Sequence, residues 1–124
     1  MRDANGVARE VVDASVQVHR ALGPGLLERV YQRALIHELQ LRGLSVATEV
    51  ALHASYRGLD LGCAYRCDLT VEDKLLVELK ALDTLTPAHR RQTLTYLKLS
   101  GYRLALLLNF GAPLMRDGIH RFAN

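Results

Sequence analysis

Cysteine is scarce in this chain, and its scarcity removes whole classes of chemistry. The 124 residues include only Cys63 and Cys67. With no second pair and no neighbouring HxxxH, they cannot supply four ligands to zinc or an iron–sulfur cluster. Both are read as small buried residues. Long apolar runs are missing as well. Nothing approaches the roughly 18 consecutive apolar residues of a membrane span, and the start, MRDANGVARE, lacks the apolar segment of a secretory signal. These absences point to a cytoplasmic protein with no membrane partner. Excess charge is small: a net +3 permits an anionic partner without requiring one. No repeat, low-complexity tract or linker interrupts the chain, and its length fits one domain over residues 1–124.

What the chain does have is clear periodicity. Val7, Val11, Ala14, Val18 and Leu22 recur at spacings of four and three, which predicts a helix over about 4–22. GPG at residues 23–25 breaks it. A second helix is expected over about 26–42, with Leu27, Tyr31, Ala34 and Leu35 along one side and Gly43 ending it. From Leu44 the pattern turns to strand. LSVATEVALHASY is followed by a turn at RGLDLG, residues 57–62, and then by CAYRCDLTV. There Cys63, Tyr65, Cys67, Leu69 and Val71 alternate with Ala64, Arg66, Asp68 and Thr70, the pattern of a half-buried strand. EDK at 72–74 turns the chain into LLVELKA. Asp83, Thr84 and Thr86 are candidate caps for a third helix that starts at Pro87 and closes at Gly101. YRLALLLNFG is apolar enough to be a central strand covered on both faces, and GIHRFA supplies a last strand. The expected order is ααβββαββ, an α/β or α+β fold with a mixed sheet flanked by helices.

One hairpin carries more charge than packing requires. A three-residue turn at Glu72, Asp73 and Lys74 sets Asp68 directly opposite Glu78, and a two-residue turn sets them diagonally. In either register the carboxylates lie about 5 to 8 Å apart, with Lys80 two residues further on the same face. Paired carboxylates repel and raise each other's pKa unless a cation intervenes, and oxygen ligands of this kind suit magnesium or manganese. Taken alone, the three charges fit a solvated surface better than a reacting centre.

Further along the chain, GLLERVY places Glu28 and Tyr31 at the start of a helix, and QTLTYL places Gln92 and Tyr96 four residues apart on another. The series GxxExxY at Gly25, Glu28 and Tyr31, then Asp68, then ExK at Glu78 and Lys80, then QxxxY resembles the PD-(D/E)XK nuclease superfamily. More closely, it resembles the small GxxExxY proteins within that superfamily. The resemblance spans nearly the whole chain. It implies a restriction-endonuclease-like core and metal-dependent hydrolysis of phosphodiesters, with DNA as partner and Mg2+ or Mn2+ as cofactor.

Position by position, Asp68 and Glu78 resemble the metal-binding carboxylates, Lys80 the catalytic lysine, and Glu28 the helical glutamate that supports the metal. Gln92 and Tyr96 resemble the QxxxY element of exonucleases, which tilts the reading towards cleavage from ends. Two departures stand out: cysteine rather than proline precedes Asp68, and the iron–sulfur cysteines of some relatives are absent. Arg66, His89, Arg90 and Arg91 are candidate contacts to the nucleic-acid backbone. The small size makes a homo-oligomer plausible. The competing reading is a non-catalytic nucleic-acid-binding or interaction module that keeps the fold.

Overall fold

The structure is a computed structural model that describes residues 2–124. Helix α1 (Ala4–Leu22) starts where Asp3 accepts a 2.8 Å hydrogen bond from the Gly6 amide, which satisfies one of the helix's free donors. Its stripe of Val7, Val11, Ala14 and Val18 is buried, each valine contributing about 2 kcal/mol of apolar burial. Leu22, expected on that stripe, is exposed where the helix gives out. Helix α2 (Glu28–Leu41) lies against α1 and begins two residues later than the sequence pattern suggests. Leu27 is its cap and is 66% exposed, while Tyr31, Leu35 and Leu39 face inward. Arg42 ties the pair together, with Glu38 and Asp13 each 2.8 Å from its guanidinium.

The strands are β1 (Val46–Tyr56), β2 (Leu59–Val71), β3 (Leu75–Lys80), β4 (Leu104–Asn109) and β5 (Ile119–Ala123), with helix α3 (Pro87–Ser100) between β3 and β4. They form one sheet in chain order, antiparallel except for the parallel pair β3 and β4. The fold is α+β with a mixed sheet, as the periodicity suggests, and a short 3-10 turn at Met115–Gly118 precedes β5. Both faces of the sheet are covered. Leu69, Val71, Leu75, Val77, Leu79, Leu104, Leu106 and Leu108 pack under α1 and α2, whereas Leu76 and Ala105 pack against Tyr96 and Leu97 of α3. Every residue of β4 is buried, as befits a strand with neighbours on all sides. Among the described residues, no helix is long and apolar enough to cross a membrane.

β1 and β2 depart most from expectation. The turn between them is only Arg57 and Gly58, both with positive φ, because Tyr56 already pairs with Leu59. Residues 59–62 therefore belong to β2, and the two strands run out as a ribbon arm. Strict alternation also fails along β2. Cys67 packs with the α3 cluster and Tyr65 rests on Tyr96, whereas Leu69 and Val71 lie on the opposite face. The change of face falls at Asp68, beside Glu49 of β1, whose φ of 50° is left-handed and costs a non-glycine residue about 1 kcal/mol. The ribbon thus rotates as it leaves the sheet. Cys63, expected to be buried, is exposed on the arm, and only Cys67 is buried.

The end of β3 is pinned by its parallel neighbour. Asn109 accepts from the Leu82 amide and donates to the Leu82 carbonyl, both at 2.9 Å, while the Phe110 amide donates to the Lys80 carbonyl at 2.8 Å. Gly111 lies so close that a Cβ there would sit 2.2 Å from the Leu82 oxygen. Gly111→Ala is therefore expected to lower stability by about 3 kcal/mol in denaturant titration. An unchanged midpoint would show that this contact yields freely.

Candidate active site where two strands part

Between β2 and β3 the backbone ladder holds only three pairs: Val71 with Leu75, Thr70 with Leu76 and Leu69 with Val77. The turn has three residues, Glu72 to Lys74, so Asp68 and Glu78 come next in register, directly opposite. There the ladder stops and side chains take it over. The Asp68 amide donates to Glu78 Oε1 at 2.7 Å, and the Leu79 amide donates to Asp68 Oδ2 at 2.8 Å. Each carboxylate reaches across the widening gap to a backbone donor of the other strand. β2 can then leave for the arm without orphaning the amides on either side.

This crossing sets the electrostatics. Glu78 is 3% exposed. Burial, and then the charge of Asp68, push its carboxyl up to about 8. Asp68 is raised as well, chiefly by burial, although the Leu79 amide and the Lys80 ammonium pull the other way. Glu28, half-buried at the first position of α2, is raised by burial and by Asp68 and is lowered by Lys80. Asp68 and Lys80 therefore act on both Glu28 and Glu78, and they link the two glutamates. Asp68 and Glu78 sit together with Lys80 as the ammonium acting on them, and burial is the first cause that raises each carboxyl.

Glu28 is delivered by a built loop. The Tyr31 ring stacks on Phe110 with centroids 4.8 Å apart, and its hydroxyl donates to the Gly23 carbonyl while accepting from the Leu26 amide at 3.1 Å. Gly23 and Gly25 both have positive φ, which suits glycine. Tyr31 thus fixes the turn that sets where α2 begins. The spacing from Glu28 to Tyr31 is one helical turn, so the tyrosine holds the glutamate's end of the helix from inside the core.

Helix α3 closes the other side. Tyr96 is buried, and its phenol is raised by burial and by the charges of Glu78 and Asp68, so it borders the carboxylates. Gln92 is half-buried one turn earlier on the same helix face. His89 has its Nδ1 committed to the helix start, accepting from the Thr86 amide at 3.0 Å. Arg90 lies beside His120 of β5, whose pKa is lowered by burial and by that arginine. Arg91 is exposed on α3, and Arg66 is exposed on the arm. Two neighbours of the pocket escaped the sequence reading. Glu49 adds a further negative charge against Asp68 and Glu28, and Tyr65 packs on Tyr96. A glutamate in an otherwise apolar and small run, VATEVA, was the only available signal for the first.

Among the described residues, no three His, Cys, Asp or Glu side chains close around one point tightly enough to hold an ion. The donor set nonetheless fits a hard divalent cation. All candidate ligands are carboxylate oxygens, of which Asp68 and Glu78 each commit one to a backbone amide. Burial and then the charge of Asp68 hold a proton on Glu78, and a divalent charge would offset both.

A family model described as the PD-(D/E)XK nuclease superfamily matches residues 5–122. No curated protein and no solved structure matches the chain.

The raised carboxyls have a measurable consequence. Folded Glu78 keeps its proton up to about pH 8, whereas in the unfolded chain it loses it near 4.5. Folding therefore takes up a proton between these values, and stability falls as pH rises through that window. Asp68 acts in the same direction, and His120, with its lowered pKa, acts against it. In chelator, thermal unfolding should show a loss on the order of 2 kcal/mol between about pH 5.5 and about pH 8. Glu78→Gln should remove most of that slope. A slope unchanged in the variant would contradict the assignment.

Proposed function

The chain belongs to the PD-(D/E)XK nuclease superfamily, and from that premise we propose that it is a Mg2+- or Mn2+-dependent DNA exonuclease of the small GxxExxY type. The superfamily is one of nucleases that generally use divalent metals and bind nucleic acid. The observation that most supports the finer reading is the reciprocal crossing of Asp68 and Glu78, with Lys80 two residues along the same strand. Asp68 and Glu78 would hold the cation, with Glu28 supporting it from the start of α2. When bound, the ion would polarise a phosphoryl oxygen and acidify a water.

Lys80 orients the attacking water and offsets negative charge that develops on the phosphate. The water gives up a proton as its oxygen bonds to phosphorus, the bond from phosphorus to the departing sugar oxygen breaks, and that oxygen takes up a proton, so one water is added in all. Gln92 and Tyr96 line the α3 side, where they contact the nucleotide at the end of the strand. Arg66, Arg90 and Arg91 meet the backbone further out, and His89 can reach it through the Nε2 that its cap leaves free. One domain over residues 1–124 would carry the whole site, and association with further copies would enclose the substrate.

Purified protein with Mg2+ or Mn2+ should degrade linear DNA and spare covalently closed circles. Asp68→Ala and Lys80→Ala should each lower the rate about 100-fold or more. Nicking of circles would replace the exonuclease reading with an endonuclease one. Wild type and variants that bound DNA alike without cutting any substrate would make the chain a non-catalytic binding module.

A further inference from the structure

The proposed chemistry leaves Tyr65 unused, yet its placement is specific. It lies on β2 in the arm, three residues before Asp68 and paired across the ribbon with Leu52. Its ring meets that of Tyr96 with centroids 5.4 Å apart and planes inclined at 46°. Tyr96 is buried, but Tyr65 is 45% exposed. A core aromatic would not leave nearly half its surface open, and an ordinary surface tyrosine would not rest on a buried ring that borders two carboxylates. Tyr65 is an outward-facing ring on a rigid backing, at the edge of the reacting centre.

The rest of the arm has the same character. Tyr56, Leu59 and Leu61 are each more than half exposed, and the Arg57 guanidinium lies 5.6 Å from the centre of the Tyr56 ring. Arg66, the next residue after Tyr65, is exposed on the ribbon's other face. Exposed rings, with a guanidinium over the one at the arm's tip, suit a flexible polyanion whose bases are free to stack. A duplex hides its bases inside the stack, so it offers nothing to such a surface except at a frayed or unpaired end.

We infer that Tyr65, backed by Tyr96, is the stacking platform for the terminal unpaired base of a DNA strand whose end phosphodiester lies at Asp68 and Glu78, and that the arm makes unpaired ends the substrate. This rests on the nuclease reading for the identity of the strand. The platform is a binding surface in its own right, and it can be tested without cleavage. Tyr65 needs its ring and not its hydroxyl, which separates stacking from hydrogen bonding or proton transfer.

The test is binding in chelator of a short single-stranded DNA oligomer with 2-aminopurine as its terminal base, against the same oligomer with an abasic end. Wild type should prefer the base-bearing end about tenfold and change the 2-aminopurine fluorescence on binding. Tyr65→Phe should keep both effects, and Tyr65→Ala should lose both while melting at the wild-type temperature. With Mg2+, wild type should cut frayed ends faster than blunt ones, a preference that Tyr65→Ala abolishes. Equal affinity of wild type for the two oligomers, or a preference that survives Tyr65→Ala, would overturn the inference even where cleavage is robust. Base-dependent binding without any cleavage would uphold the platform and sink the nuclease reading, so the two failures are distinct.

Discussion

Everything distinctive about this molecule depends on how two neighbouring strands separate. A β-sheet normally loses hydrogen bonds where strands diverge, and buried amides left there would cost about 1 to 3 kcal/mol each. Here Asp68 and Glu78 satisfy those amides with their own carboxylates, each reaching to the other strand. The same two side chains therefore close the ladder and create the pocket. What holds the strands also brings two carboxyl groups together in a buried place, where each is raised above its ordinary value.

That coupling explains why so much of the surrounding structure serves position. Tyr31 anchors the loop that brings Glu28 to the pocket, and its ring rests on Phe110, the residue after the Asn109 clamp. Asn109 and Phe110 in turn fix the backbone at Lys80 and just beyond it. Helix α2, strand β3 and strand β4 are thus braced by contiguous contacts behind the pocket. On the arm side β2 has only β1 as a strand partner, and Tyr56 and Tyr65 are exposed. A braced base thus stands beside an exposed ribbon.

Much of this was legible from residue spacing. The helices follow from apolar stripes at intervals of three and four, because burial on one face dominates their stability. The three-residue turn at Glu72 to Lys74 decides between the two registers that the sequence left open, and it sets Asp68 opposite Glu78. The misses share a cause. Period-two reasoning assumes a flat strand, so it could not foresee that a left-handed Glu49 and the loss of β3 as a neighbour would turn β2 over at Asp68. Alternation alone therefore puts Cys63 and Tyr65 in the wrong surroundings, and it shortens the arm because RGLDLG reads as one long turn. The Asn109 clamp depends on a contact across 27 residues, and no local pattern reports such a contact.

The central claim is that the crossed carboxylates form a cation site. Crystals soaked in Mn2+ and measured at the manganese absorption edge would test it most directly. An anomalous peak bounded by oxygens of Asp68 and Glu78, absent from crystals of Asp68→Ala, is the expected result. A peak elsewhere, or none at Mn2+ concentrations that support DNA cleavage, would contradict it.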